Sequence, residues 1–259
     1  MSEEPFIQAF RVQGLDVEMH KHAAYQLVYA VDGVFDTVVG GVRHEDIAGF
    51  LIAPNVAHQC SVGGRVLMVL NVEPDSAPGR GVQEVLAGRS SVVFEEFEAL
   101  RGGLGLPDDV PRAQAHLYVS SALDPETERE VGDARVACAI ATVRQRFGQP
   151  LRSAQVAAEV GLSPSRFRAV FKQQVGSSFT KFLLWTRLRR AVDRVLSDES
   201  ATLTDIAVDC GFYDLPQFNR YMAEMVGVPP SMLRARARGR AVPAGRGECM
   251  DFRVRGRLP

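Results

Sequence analysis

Side chains that can fork two hydrogen bonds onto a base edge stand on the outer stripe of two short helical stretches near the C-terminus. In the first, Phe167, Val170 and Phe171 recur at the spacing of three and four that buries one face of a helix, which leaves Ser165, Arg168, Ala169 and Lys172 on the opposite stripe. In the second, Phe218, Tyr221 and Met222 turn inward, so Gln217 and Arg220 lie together outside, with Pro216 and Asn219 at the margins. Arginine donors match the two acceptors of guanine, a contact worth about 1–3 kcal/mol of discrimination, and a glutamine amide matches adenine. Arg168 and Arg220 are therefore the foremost candidate base readers, and Gln217 is a candidate for adenine. Contact to phosphate, or a plain solvated surface, stays open for each of the eight, since half or more of protein–DNA hydrogen bonds go to phosphate and sugar.

The elements that would position these residues repeat one grammar, over Gln155 to Gln174 and again over Thr204 to Glu224. An apolar periodic stretch (Val156, Ala157, Val160) runs into Gly161, which suits the positive φ that ends a helix. Ser163 can cap the next helix, and Pro164 fits its first turn. In the second copy Ile206 and Ala207 lead to Gly211, with Asp214 as the expected cap. A long helix from Ser178 to Leu196 separates the copies and carries an apolar stripe of Phe182, Trp185, Leu188, Val192 and Val195. Arg187, Arg189, Arg190 and Arg194 lie beside that stripe, assigned to the helix surface or to phosphates.

Charge divides the chain. Residues 1–128 hold 8 Lys/Arg against 19 Asp/Glu, and residues 129–259 hold 22 against 12, so a formal net charge of −1 hides an acidic region followed by a basic one. A basic half points to nucleic acid, although a solvated basic surface would give the same count.

The tandem units, with G-L-S-P-S-R-F-R-A-V-F-K in the first, D-C-G-F-Y-D-L-P-Q-F-N-R-Y-M in the second and G-V-P-P-S-M-L-R after it, resemble the AraC/XylS family over roughly residues 133–236. The resemblance implies that each second helix enters a major groove of double-stranded promoter DNA, the two grooves about one helical turn apart. It also implies transcription activation, with RNA polymerase and a second copy of the chain as partners. Ala169 departs from the polar residues common at its position in the family, which leaves a methyl contact to thymine there.

Before residue 100 the chain reads as a β meander, with runs at Tyr25 to Val31, Val34 to Val39, Gly49 to Ile52 and Val66 to Val72, and so as a small barrel or sandwich. Glu73 to Arg80 reads as a loop, and Val82 to Leu86 and Val92 to Leu100 as helices. A second resemblance lies here. Gly14, then His20-Lys21-His22, Gln26 and Gly33 at cupin spacing, followed by Gly49 to His58 with Pro54, resemble the two motifs of cupin barrels. The resemblance implies a metal set of His20, His22, Gln26 and His58, for a divalent ion such as zinc, nickel or copper. Gln26 stands where the family has glutamate, so the ion would rest chiefly on the three imidazoles, and Val56 replaces the turn glycine. Alternating His20 and His22 would face one side of a strand. The same residues could instead line a pocket for an organic effector.

The fold class is thus α+β and multidomain. A cupin-like effector-sensing domain is expected over 1–118, with dimerisation helices at about 82–100. A linker over 119–130, a double helix-turn-helix domain over 131–238 and a basic tail over 239–259 complete the order. Cys60, Cys138, Cys210 and Cys249 lack paired spacing, which excludes a disulfide framework or zinc finger and leaves Cys60 as a candidate redox sensor. No span of about 18 apolar residues occurs, and the acidic N-terminus is unlike a signal sequence, so a cytoplasmic site is expected. The chain is read as a one-component, non-enzymatic regulator sensing a small molecule or metal. A metal-dependent cupin enzyme fused to a DNA-binding domain, or a barrel serving dimerisation alone, are the other readings.

Overall fold

Short runs rich in Val, Ile and Phe, bounded by glycine turns, make nine strands among the residues described, which are 7–14, 16–123 and 133–237 of a computed structural model. Strands β1 (Ile7–Gln13), β3 (Tyr25–Ala30), β6 (Gly49–Ile52), β8 (Val66–Val72) and β9 (Ser91–Phe94) form one antiparallel sheet in the order β1-β8-β3-β6-β9. Strands β2 (Val17–His20), β4 (Phe35–Val39), β5 (Val42–Ile47) and β7 (His58–Ser61) form a second in the order β2-β7-β4-β5. The expected sandwich is present. The meander is not, because only β4 and β5 are both consecutive and paired. Strand β3 is buried on both faces: Val28 and Ala30 point into the space between the sheets, while Leu27 and Tyr29 enter a second core behind them.

That second core is closed by helices α1 (Ala77–Leu86) and α2 (Phe97–Leu104), through Val82, Leu86, Phe97, Leu100 and Leu104. Their apolar faces pack within the chain. The helix expected over Val92 to Leu100 is half strand, because the β-branched pair Val92 and Val93 extends and hydrogen-bonds to β6 as β9. The expected loop before it ends at Ser76, whose hydroxyl caps α1 through the Gly79 amide at 3.0 Å. A short helix α3 (Val119–Ala122) buries Val119 and Leu123 in the same core, so the first residues of the expected linker belong to the sensor region. Residues 124–132 and the tail over 239–259, with Cys249, lie outside the described residues.

Seven helices follow: α4 (Ala134–Arg146), α5 (Ser153–Glu159), α6 (Pro164–Val175), α7 (Phe179–Ser197), α8 (Leu203–Asp209), α9 (Leu215–Val226) and α10 (Pro230–Ala237). The two helix-turn-helix units are α5–α6 and α8–α9. Ser163 and Asp214 cap the second helix of each, and Gly161 and Gly211 turn the chain at φ 70° and 86°. Their packing differs. Val156, Phe167 and Phe171 of the first unit form a core with α4 and the start of α7, while Ile206, Phe218 and Met222 of the second join the inter-sheet core with Val28, Phe50 and Val192. No helix among the described residues is long and apolar enough to cross a membrane.

The close approach of α1 to α3 can be tested at Gly81, where a Cβ would stand 1.9 Å from the carbonyl oxygen of Leu123. Backbone cannot yield as a side chain does, so Gly81→Ala is expected to cost about 1–3 kcal/mol in denaturant unfolding. An unchanged midpoint would mean that residues 119–123 are not packed on α1.

Candidate nucleic-acid interface and metal centre

Ser163 and Asp214 cap α6 and α9, whose outer stripes carry the candidate residues. Ser165, Arg168, Ala169 and Lys172 on α6 are all exposed, as are Pro216, Asn219 and Arg220 on α9. Arg220 lays its guanidinium on the Tyr221 ring at 5.1 Å, a cation–π contact that steadies it at the surface. Gln217 is half-buried, and its side-chain oxygen accepts from the Tyr213 amide at 2.8 Å. Recognition of adenine would use that oxygen's second lone pair together with the amide N–H. Tyr213, missed in the sequence, is 86% exposed at the mouth of the same turn.

The arginines of α7 differ from their expected place. Arg187 donates to the carbonyls of Phe147 and Gln149 at 2.8 and 2.9 Å, and Arg194 to Asp209 at 2.8 Å. Arg190 lies over the Phe147 ring, and Arg189 is buried against Glu73 at 3.4 Å. These cations hold the protein together, and their acceptors are too distant in sequence for the reading of a helix to find them.

His20, His22 and His58 meet between the sheets. Their ring centroids lie 4.1 to 5.7 Å apart, and one nitrogen of each falls within 4.8 Å of the others. His20 closes β2 and faces His58 across the β2–β7 pair. His22 is not on that strand, as the alternation implied; it sits beyond the strand's end and is turned inward by the carbonyl of Ala24. Each Nδ1 meets a carbonyl two residues away in sequence: Glu18 for His20 at 2.8 Å, Ala24 for His22 at 3.1 Å and Val56 for His58 at 3.0 Å. A carbonyl only accepts, so Nδ1 carries the proton and Nε2 keeps its lone pair. The buried Nε2 atoms of His22 and His58 find no hydrogen-bond partner. Burial drives the imidazoles to their neutral form: His22 is lowered to about 3, chiefly by desolvation and then by His20, and His20 and His58 are lowered too.

This is a donor set that fits a divalent ion. Three nitrogens about 2.1 Å from one ion stand at most about 4.2 Å apart, so small ring rotations close the present set. The carbonyls on Nδ1 supply the outer hydrogen bonds that orient metal-bound histidines. Gln26, the fourth expected ligand, is buried on the same cavity, but its amide nitrogen is held by Asn71 at 2.9 Å. The cavity measures about 90 Å³ and is otherwise apolar, with Val12, Val28, Val69 and Val192 among its walls. Cys60 lies on it too; burial pushes its thiol up to about 12, so it lacks the thiolate a redox sensor needs.

Helices of the DNA-binding region roof this cavity. Trp185 of α7 stands 5.2 Å from His22 and donates its indole N–H to Glu73 at 3.0 Å. At the end of α9, Lys21 donates its backbone N–H to Glu224. Beside His20 a cleft of about 450 Å³ opens between Lys21 and Lys181.

Residues 156–236 match a family model described as a helix-turn-helix domain. The HTH-type transcriptional regulator YobQ of Bacillus subtilis (strain 168) is 24% identical over 231 residues, covering 83% of this chain and 88% of YobQ. The transcriptional activator RhrA of Rhizobium meliloti (strain 1021) is 32% identical over 101 residues, which are 37% of this chain and 32% of RhrA. Unsaturated fatty acid bound wild-type ToxT from Vibrio cholerae strain SCE256 shares the fold through 91% of this chain and 97% of its own, with a TM-score of 0.53 at 12% identity.

Two expectations follow. Arg220→Ala should weaken a selected binding site by about 1–3 kcal/mol, roughly 5- to 150-fold, while random duplex loses far less; equal losses in salt titrations of both would reduce it to a phosphate contact. The folded imidazoles stay neutral, whereas unfolded histidine titrates near pH 6.5. Acid therefore favours the unfolded chain. For chelator-treated protein, stability should hold above about pH 6.5 and fall toward pH 5 at up to about 1.4 kcal/mol per pH unit for each histidine. Equal thermal midpoints at pH 7.5 and 5.5 would contradict the buried neutral rings.

Proposed function

We propose that this DNA-binding transcriptional regulator, whose residues 156–236 form an AraC-type helix-turn-helix domain, senses a divalent metal ion through His20, His22 and His58. The observation that carries the reading is the convergence of three neutral imidazoles whose Nδ1 protons are all committed to carbonyls, with the Nε2 atoms of His22 and His58 left without a partner. Buried polar atoms are rarely left so, because each costs about 1–3 kcal/mol. Imidazole ligands suit zinc, nickel and copper. Size also favours an ion, since pockets for organic ligands run to about 300–1,000 Å³ and this one holds about 90 Å³.

The same dimensions favour a sensor over an enzyme. An ion here would neutralise no substrate and would instead draw together strands β2 and β7 and the segment carrying His22. Bound only by the folded chain, it adds stability that rises with the logarithm of its concentration, about 4 kcal/mol at a thousand times its dissociation constant. Coupling to DNA is reciprocal: an ion that tightens operator binding is itself tightened by the operator to the same factor.

A second effector class is favoured by the cleft beside His20. Its volume of about 450 Å³ suits a small organic molecule, and its wall sets two cations, Lys21 and Lys181, the latter donating to Asn55 at 3.1 Å, against the carboxylate of Glu224, a balance that suits an acid. The ToxT structure above was solved with an unsaturated fatty acid. An acid bound there should raise the thermal midpoint of the metal-free protein, and Lys21→Ala with Lys181→Ala should remove the rise.

The metal reading is tested by elemental analysis of protein made without a histidine tag. One zinc, nickel or copper per chain is expected, lost in His22→Ala. Metal-free protein that takes up none of the three at micromolar concentration would overturn it.

A further inference from the structure

We infer that the three-histidine site acts chiefly on the second helix-turn-helix unit, through Trp185 on α7 and through the end of α9 at Glu224 and Gly227. This rests on reading the site as a metal centre.

Trp185 is the single tryptophan of the chain and is 3% exposed. Barrel atoms hold it from two sides: the His22 ring lies 5.2 Å away at a 33° tilt, and the carboxylate of Glu73 accepts its N–H. Rotation of His22 is therefore felt directly by α7. Gly227 ends α9 in a left-handed turn, φ 76°, against the other ligand arm. A Cβ there would meet the carbonyl oxygen of Glu18 at 2.9 Å and Nδ1 of His20 at 3.0 Å. That same carbonyl holds the Nδ1 proton of His20. One residue on, Lys21 is bonded through its amide to Glu224. The Glu18 carbonyl, two residues before His20, and the Lys21 amide, one residue after it, thus both lie against the end of α9.

The first unit meets the barrel away from the histidines, at the Asp75–Arg144 ion pair of α4. Its core of Val156, Phe167, Val170 and Phe171 excludes the barrel, and the corresponding glycine at the end of α6, Gly176, would have nothing within 4 Å of a Cβ. Packed interiors respond to a shifted side chain by repacking rather than by continuous deformation. Closure of the histidines on an ion accordingly re-sets α9 against α7, changing the angle of one DNA reader relative to the other. The regulated quantity is the match between two readers, not the fold of either.

Zinc titration of the full chain supplies the test, with Trp185 emission and amide hydrogen exchange as readouts. Emission should change and saturate at one equivalent of zinc. Exchange should slow by at least about tenfold in the last turn of α9 and the middle of α7, with α5 and α6 constant within about twofold. Zinc bound at one equivalent with emission flat, or with α6 protected as much as α9, overturns this inference and leaves the metal centre standing. Absence of bound zinc overturns the inference, and the metal reading falls with it only when nickel and copper are refused as well. The same responses in His58→Ala, which lacks a ligand, would place their origin outside the site and overturn the inference as well.

Discussion

A carboxylate withdrawn from water must be met by donors or cations, and Glu73 is met by one of each from a single helix of the other region. The Trp185 indole and the Arg189 guanidinium, one turn apart on α7, converge on a side chain just past the end of β8. Burial pushes the Glu73 carboxyl up and Arg189 pulls it back. Removing one partner of such a pair strands a charge, at about 3–5 kcal/mol. The contact therefore fixes which face of α7 looks at the barrel, and much else follows. Phe179, Phe182 and Leu183 are left to fill the core of the first reading unit, and Leu188, Ala191, Val192 and Val195 the core shared with the barrel. A second ion pair, Asp75 with Arg144 of α4 at 2.7 Å, braces the same joint.

With α7 seated, the barrel has no need of a lid of its own. Its open side is closed by the DNA-binding region, and the histidines sit under that closure. If the site is a sensor as proposed, its occupant and the reader are coupled, because the roof of one is the framework of the other. The acidic and basic halves of the sequence fit this joint, since several cations of α7 face inward to carbonyls or carboxylates while those of α6 and α9 face out.

Much of this was legible in the sequence wherever the determining signal is local. Ser163, Pro164, Asp214 and the turn glycines lie within a few residues of what they terminate, so the reading helices and their outer stripes emerge from spacing alone. The histidine set was legible through its motif, although His22 lies beyond the strand that alternation would put it on. What failed was non-local. Strand β9 depends on pairing with β6, some forty residues earlier, and the fate of Arg187 and Arg189 depends on acceptors at Phe147, Gln149 and Glu73. The commitment of Gln217 to the Tyr213 amide is a short-range contact, but it needs the turn's geometry and not merely its composition.

The two units end in the same turn, Gly176 after α6 and Gly227 after α9, and the likeness conceals a difference of portability. At Gly176 the turn opens on empty space, so the end of α6 makes no demand on the barrel, and a unit moved together with α4 and the start of α7 would carry its whole core with it. At Gly227 the turn is a socket shaped by Val17, Glu18 and His20. A domain exchange that brings in a foreign second unit would keep its own fold and its own DNA stripe. It would arrive deaf to the barrel unless strand β2 travelled with it.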